Sequence, residues 1–297
     1  MTLPERWVRV DLEVAAEAEE AAAEGLRSLG AGGTEHGAPQ DGKVTVSAHF
    51  PQEDAARVGA GLEELLGRLA SSGLQSWAPR LRQEEVDGAD WAEGWKRFFH
   101  PLRIGAIWIR PSWEAADPPP GTRPIVLDPG LAFGTGTHPT TRLCLEALQR
   151  HLHPGDLVID VGTGSGILAM AAALLGARRV VACDIDPVAV RVARANVEQN
   201  RLQWAVEVLE GSVGAADTLL RRERSAGARL VVANLLTSIL AELAGPIAGL
   251  MAPRGLLLAS GIAAGQEGEA HAALEGAGLR VQETETAGGW CLLAAER

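Results

Sequence analysis

The sequence predicts an α/β protein in two parts, a small α+β unit followed by a doubly wound unit with a mostly parallel sheet. Three observations carry that expectation. From Leu157 onward, short apolar runs alternate with amphipathic stretches. Before residue 85 the order is instead β-α-β-β-α-β, that of a ferredoxin-like unit. Two glycine-rich loops, Asp128–Thr141 and Asp160–Gly166, each lead from an apolar run into a helix-like stretch.

In the first part, Trp7–Val14 alternates apolar and polar residues like a strand. Ala15–Leu29 is rich in Ala and Glu and ends before Gly30, a helix pattern. Gly32–Gly37 reads as a short strand, Asp41-Gly42 as a turn and Lys43–Phe50 as a strand. Pro51–Asp54 opens a helix to about Ala70, and Leu74–Glu84 supplies one more strand. This topology hosts many unrelated tasks, so pattern alone assigns the unit no function. Asp87–Phe99 is predicted to be a linker helix. Trp91, Trp95 and Phe99 recur every four residues and share one face, which reads as a hydrophobic seam rather than a ligand-stacking platform.

In the second part, Ile104–Arg110 is a predicted strand, Pro118-Pro119-Pro120-Gly121 a turn, and Ile125-Val126-Leu127 an apolar run before the first glycine loop. Thr141–Leu145 continues that loop as a helix. Strands then fit Leu157–Val161, Arg179–Asp184, Val206–Glu210, Arg229–Ala233 and Gly255–Ser260. Helices fit Ile167–Leu175, Val188–Gln199, Ser238–Met251 and Gly265–Ala277. Leu279–Thr286 and Trp290–Ala294 form a terminal hairpin around Gly288-Gly289. The expected boundaries are residues 1–85 for the small domain, 86–105 for the linker helix and 106–297 for the doubly wound domain.

A chain of 297 residues suits one large or two modest domains, and 46% apolar residues support a packed core. The formal charge is -11 with no long Lys/Arg block. Such a surface disfavours non-specific binding to nucleic acid or anionic membrane and suits a basic protein partner. The three cysteines, Cys144, Cys183 and Cys291, form neither a disulfide framework nor a zinc pattern, so no metal is expected. The first residues lack the basic-then-apolar shape of a signal peptide, and no uncharged apolar run is long enough to span a bilayer. A soluble, cytoplasmic monomer is the expectation.

Ligands of open α/β sheets bind at the carboxyl ends of the strands. Gly162-Thr163-Gly164-Ser165-Gly166 follows the first strand of the alternating series, Asp184 ends the second, and Asn234 follows the fourth. Asp184 is suited to accept hydrogen bonds from two ribose hydroxyls. A dinucleotide fingerprint G-x-G-x-x-G would need glycine where Ile167 stands; the pattern is D-x-G-x-G-x-G instead. S-adenosylmethionine (AdoMet) has no phosphate, and Asp160 would repel phosphate yet suit the methionine ammonium. AdoMet is therefore favoured over NAD.

Each of these residues also has a plainer role open to it. Gly162 and Gly164 suit a tight strand–helix turn, and Asp160 suits capping that turn. Asp184 suits bonding backbone amides before Pro187, with Asp186 a rival for the ribose. Asn234 suits capping the helix near Ser238, and Thr140 or Thr141 suits either capping or cofactor contact. His138 titrates near neutrality, but no acidic partner is placed by sequence; a ring that fixes the loop by hydrogen bonding is the preferred reading.

Asp128–Thr141, Asp160–Gly166, Asp184-Ile185-Asp186-Pro187, Asn234-Leu235-Leu236 and the stretch D-W-A-E-G-W-K-R-F-F-H-P-L-R-I-G from Asp90 to Gly105 together resemble the ribosomal protein L11 methyltransferase family, PrmA. The resemblance runs through most of Asp87–Arg297; the first domain shares pattern more than motif. It implies a seven-stranded class I AdoMet-dependent methyltransferase (Rossmann-like) domain behind a small substrate-recognition domain. It also implies that lysine side chains, and the N-terminal amine, of the basic protein L11 are the acceptors. Cofactor contacts fall on Thr141, Gly162, Asp184 and Asn234; the residue chemistry above adds Asp160 and Gly164. Asn234 is the expected catalytic residue, orienting the amine with neighbouring carbonyls while Thr135–Thr141 closes over the site. The family follows Asn-Ile-Leu or Asn-Leu-Leu with Ala, where this chain has Thr237, so the substrate mouth is the expected place of difference. Nucleic-acid amines are disfavoured because Asn-Pro-Pro-aromatic is absent. A lysine methyltransferase for another protein and a non-catalytic AdoMet-binding adaptor are the remaining alternatives, the second disfavoured by the intact loops.

Overall fold

In a computed structural model the chain forms two compact units, Met1–Phe99 and His100–Arg297. The structure describes residues 7–15, 18–31, 34–37, 42–51, 54–71, 77, 80–84, 101–115, 117–128, 136, 138–222 and 225–297. The expected linker helix, and most of the first glycine loop with its expected closure, lie outside the described residues.

In the first unit the elements are β1 (Trp7–Ala15), α1 (Glu19–Ser28), β2 (Thr34–His36), β3 (Lys43–Pro51), α2 (Ala55–Ser71) and β4 (Arg80–Glu84). The strands form one antiparallel sheet in the order β2-β3-β1-β4. The register pairs Val10 with Ala48, Leu12 with Val46 and Val14 with Val44. Period-two alternation thereby gathers these residues on one face, where Ala22, Ala23 and Leu26 of α1 and Val58, Leu62, Leu65 and Leu69 of α2 pack on them. The intervening residues pair as polar groups: Ser47 Oγ donates to Asp11 Oδ1 at 2.6 Å, and Lys43 Nζ meets Glu13 Oε1 at 2.9 Å. α1 starts later than composition predicts, because β1 extends through Ala15 to keep its pairing with Lys43.

The second unit opens with a three-stranded sheet, β5 (Leu102–Ile104), β6 (Ile107–Arg110) and β7 (Arg123–Val126). The sequence suggested one strand over Ile104–Arg110. Instead Gly105, at φ +58°, turns the chain and makes an antiparallel hairpin of it. Gln149 holds the turn like a peptide group: its Oε1 accepts from Ala106 N at 2.6 Å and its Nε2 donates to Ile104 O at 3.2 Å. β7 lies parallel to β6 and is held the same way by Asn200, which accepts from Val126 N and donates to Val126 O.

The elements continue as α3 (Pro139–His151), β8 (Leu157–Val161), α4 (Ile167–Leu175), β9 (Arg179–Asp184), α5 (Pro187–Gln199), β10 (Val206–Glu210), α6 (Val213–Arg222) and β11 (Ala228–Asn234). They end with α7 (Thr237–Leu250), β12 (Met251–Ala263), α8 (Glu267–Gly276), β13 (Arg280–Ala287) and β14 (Trp290–Glu296). The seven strands run in the order β10-β9-β8-β11-β12-β14-β13. β8 to β12 are parallel, and β14 is antiparallel to both its neighbours. Alternate strand residues split the core in two: Val158, Val180 and Val232 pack with α3, α4 and α5, whereas Ile159, Val181 and Val231 pack with α6, α7 and α8. This is the doubly wound arrangement.

The helix α6 went unread in the sequence. Gly211, Ser212, Gly214 and Asp217 dilute its pattern, and only Val213, Ala216 and Leu220 are buried. Among the described residues no helix is long and apolar enough to cross a membrane.

Candidate active site

The β8–α4 turn begins at Gly162, whose φ is +72°. A Cβ there would stand 2.5 Å from Leu235 Cδ2, so only glycine leaves this wall open without strain. Gly162 N and Thr163 N both donate to Cys183 O, at 2.9 and 3.1 Å, which ties the turn to the neighbouring strand. Gly166 is the α4 N-cap and has no side chain with which to cap. Asp160, fully buried one strand-turn away, substitutes for it: its Oδ2 accepts from Thr163 Oγ1 at 2.6 Å and from Ala169 N at 3.1 Å. Burial pushes the Asp160 carboxyl up to about 7 despite these bonds.

Asp184, at the end of β9, fixes the same turn from the other side. Its Oδ2 accepts from Gly164 N at 2.9 Å and its Oδ1 from Asp186 N at 3.0 Å. Each oxygen keeps acceptor capacity toward the cavity it lines. Asp186, the sequence-level rival, is the α5 N-cap and accepts from Val188 N at 2.8 Å.

At the start of α3, His138 is the N-cap. Its Nδ1 accepts from Thr140 N at 3.3 Å and lies 2.7 Å from Thr140 Oγ1, and its ring meets Trp290 edge-on at 5.0 Å. This is the loop-fixing role. Thr141 differs: its side chain is buried, lines the cavity, and its Oγ1 has no hydrogen-bond partner among the described residues. Buried hydroxyls are rarely left so.

Asn234 is the last residue of β11 rather than a loop residue, and it caps nothing; the α7 N-cap is Leu236. Leu235 N donates to Ser260 O at 2.9 Å, which fixes the turn and leaves Asn234 in the cavity wall. Thr237 is buried, and its Oγ1 donates to Gln266 Oε1 at 2.7 Å.

The structure thus brings Thr141, Gly162, Gly164, Asp184 and Asn234 around one cavity of about 350 Å³. Asp160 is not among its lining residues; it holds the turn from beneath. Ile185, Gly211, Ser212, Ile239 and Leu243 also line the cavity and were not singled out in the sequence. Gly211-Ser212 directly follow β10, so the strand-end rule applied to every strand would have found them. Cys183 lines the cavity too, but burial pushes its thiol up to about 12, and burial raises Cys144 further still. Neither presents a thiolate.

The donor set fits AdoMet. A cavity this size is within the usual range for small-molecule sites. Among the described residues its polar wall offers carboxylate, amide and hydroxyl groups and no Lys or Arg. The α4 amide that would meet a pyrophosphate is already taken by Asp160, and a second carboxylate, Asp184, bonds the turn. A phosphate would meet two acidic groups; a sulfonium and an ammonium would meet complementary charge.

The strand order, with its single antiparallel strand β14, and the cavity at the ends of β8, β9 and β11 define a class I AdoMet-dependent methyltransferase. The sequence profile of the family described as ribosomal protein L11 methyltransferase (PrmA) matches residues 6–297. The chain belongs to that family. It is 39% identical to the ribosomal protein L11 methyltransferase of Pelotomaculum thermopropionicum, over 97% of this chain and 98% of that one. The protein of the same name from Carboxydothermus hydrogenoformans is 40% identical over 86% of this chain and 80% of its own. The crystal structure of a ribosomal protein L11 methylase from Lactobacillus delbrueckii subsp. bulgaricus superposes with a TM-score of 0.59 at 33% identity, covering 67% of this chain and 99% of that one.

Proposed function

We propose that this chain transfers methyl groups from AdoMet to amino groups of ribosomal protein L11, its lysine side chains and its N-terminal amine. The observation that carries this reading is the convergence of Thr141, Gly162, Gly164, Asp184 and Asn234 on one cavity, in a chain of this family. Residues 1–85 recognise the substrate; their β-α-β-β-α-β order and the β2-β3-β1-β4 sheet support a ferredoxin-like domain. Residues 86–105 form the linker and 106–297 the catalytic domain, with strand β5 already belonging to the second compact unit. The net charge of -11 suits a basic protein substrate over nucleic acid or a membrane. The chain works as a monomer in the cytoplasm.

AdoMet, when bound, supplies a methyl group already activated by the sulfonium charge. In this assignment Asp184 accepts from the ribose hydroxyls, Thr141 Oγ1 finds its partner on the cofactor, and Gly162 and Gly164 leave room for close approach. Asp160 supports the turn from beneath and adds negative charge behind it only when ionised. What remains for the protein is alignment, which supplies up to about 7–11 kcal/mol of a displacement barrier.

The acceptor must also be neutral. A lysine with a pKa of about 10.4 is neutral roughly once per few thousand molecules at pH 7. Desolvation in the cavity mouth lowers that value. The Asn234 amide makes no hydrogen bond to the described residues, so its oxygen is available to accept an amine N–H and aim the nitrogen lone pair. The proton leaves to water and no dedicated base is required; His138 is engaged as a cap.

Two measurements test the reading. Unmethylated large-subunit proteins incubated with enzyme and AdoMet are expected to show methyl-sized mass increments on L11, and unchanged masses with AdoMet bound would refute it. Asn234→Ala is expected to lose roughly 100-fold in kcat at saturating AdoMet, a loss well beyond the several-fold weakening of AdoMet binding that follows from removing its own cofactor contact. Wild-type turnover in that variant would remove Asn234 from the mechanism.

A further inference from the structure

Among the described residues four large apolar side chains are exposed: Ile185, Trp204, Leu236 and Ile239. Exposed apolar residues scattered singly are ordinary, but a cluster is not. Trp204 stands just before β10, at the amino edge of the sheet. The other three gather at the carboxyl edge. Ile185 and Ile239 line the cavity, and Leu236 falls between the wall residues Leu235 and Ile239 in sequence without being a lining residue itself. It stands two residues beyond Asn234 and one helical turn before Ile239, so it carries the apolar wall outward onto the rim.

Leu236 also occupies a position where leucine serves the fold poorly. It is the N-cap of α7, with φ -58° and ψ 146°, and makes no side-chain capping bond. Asn, Asp, Ser and Thr are preferred at such a position because a side-chain oxygen can accept from the first free amides, and leucine ranks far below them. Helix α5, which leaves the same edge of the sheet, is capped in that way by Asp186, which accepts from Val188 N at 2.8 Å. At 55% exposure Leu236 gains little from burial either. A residue that breaks two local rules at once, on the rim of a site, points to a use outside the fold.

The chemistry of the acceptor says what crosses this rim. A lysine that brings its nitrogen to the Asn234 amide trails a flexible four-carbon stem behind it. The stem packs on apolar surface while the polar head goes elsewhere. The amine, for its part, loses its charge most readily where water is scarce. An exposed leucine at the mouth serves both needs.

We infer that Leu236 is a substrate contact that receives the aliphatic stem of the acceptor lysine and so favours lysine over an amine without a stem, while α7 is left uncapped. The inference rests on the methyltransferase reading above. Because Leu236 lies outside the cavity lining, the contact is made to the acceptor and not to AdoMet.

The test uses the full-length enzyme and two variants. Leu236→Asn replaces the apolar contact with a capping group of similar size, and Leu236→Met keeps an apolar side chain. Melting temperatures are read without ligand, AdoMet dissociation constants by calorimetry, and kcat/KM for L11 by methyl incorporation resolved by site. Leu236→Asn is expected to melt about 2 °C higher, because it caps α7. Its kcat/KM at lysines is expected to fall about tenfold, with the N-terminal amine and AdoMet affinity each within about twofold of wild type. Leu236→Met is expected to stay within about twofold at lysines. A structural role would lower activity together with stability; a substrate contact moves them in opposite directions. A lower melting temperature accompanying the loss of activity, an AdoMet affinity that falls in step with the rate, or equal losses at lysines and at the N-terminal amine would each overturn the inference. So would a loss in Leu236→Met as large as in Leu236→Asn, or an unchanged kcat/KM in Leu236→Asn. Should the wild-type enzyme methylate another protein, or only lysines, the substrate or acceptor assignment fails, while the variant-to-wild-type ratios at lysines still decide the role of Leu236.

Discussion

The turns after β8 and β11 leave the same edge of the same sheet but treat their polar groups in opposite ways. After β8, the groups are taken up mostly internally: Asp160 Oδ2 takes Thr163 and Ala169 while its Oδ1 has no partner among the described residues, Asp184 takes Gly164, and Cys183 O takes two amides. After β11, the backbone is fixed from outside, and the one side chain in the cavity wall able to hydrogen-bond, Asn234, makes no bond to the described residues. The first turn is a cradle whose shape is its contribution. The second presents a free group at a fixed place. Under the proposed function the first turn only shapes the cofactor side, whereas Asn234 on the second also aims the acceptor, and substitutions should separate the two contributions.

Gly162→Val is expected to have the largest effect, because it strikes both turns. The new side chain adopts an unfavourable positive φ and meets Leu235, which belongs to the second turn. Strain and overpacking of about 3 kcal/mol correspond to an AdoMet dissociation constant roughly 100-fold higher. Calorimetry with AdoMet checks this, and an affinity within threefold of wild type would show that the cradle is not needed.

Asp160→Asn isolates the cradle's electrostatics. The carboxyl is raised in the fold from 3.8 to about 7, so the folded protein binds this proton more tightly than the unfolded chain does. Its contribution is then fully present below about pH 4 and is lost as pH rises through about 7, by an amount of order 4 kcal/mol. The asparagine keeps an acceptor for Thr163 and Ala169 but does not titrate. Thermal melts of the cofactor-free proteins from pH 4 to 8 should show wild type losing stability relative to Asp160→Asn as pH rises. Parallel curves would mean that Asp160 carries no such shift.

Asp184→Asn tests the contact next to the cradle. The amide would set an N–H against Gly164 N or Asp186 N, both donors, and would offer the ribose one acceptor fewer. A rise of roughly tenfold in the AdoMet dissociation constant is expected, with kcat at saturating AdoMet nearly unchanged. A kcat loss larger than the affinity loss would move Asp184 into the aiming function.

The cradle was more legible in the sequence than the presenting turn. D-x-G-x-G-x-G fixes where the chain must turn and what cannot be a phosphate site, and Asp184 follows at a spacing set by one helix and one strand. The strands β8 and β9 are nearly continuous apolar runs because both their faces are covered. Which way Asp160 points was not legible: a buried carboxylate capping a helix whose own N-cap is glycine is a tertiary fact. The same holds for the Gly105 turn, stabilised by Gln149 from 45 residues away, and for α6, whose narrow apolar stripe of three residues gave too weak a period. Thr237 stood out in the sequence only as a difference; its partner Gln266, 29 positions later, needed the fold.

The smallest effect is expected at Thr141, and its sign is its value. Thr141→Val removes a buried hydroxyl that has no partner among the described residues and replaces it with a methyl group of the same shape. A group that serves the fold loses stability on such a change. A group held ready for a ligand does the reverse: the cofactor-free protein gains up to about 1 kcal/mol, because an unsatisfied polar atom no longer has to be buried. The AdoMet complex loses a bond of similar worth, so affinity falls several-fold. The two effects oppose each other, and the melting temperatures of wild type and variant should converge or cross as AdoMet is added. If Thr141→Val instead lowers the melting temperature without AdoMet and leaves affinity intact, Thr141 serves the fold as the cradle does, and the proposed cofactor contact at Thr141 falls.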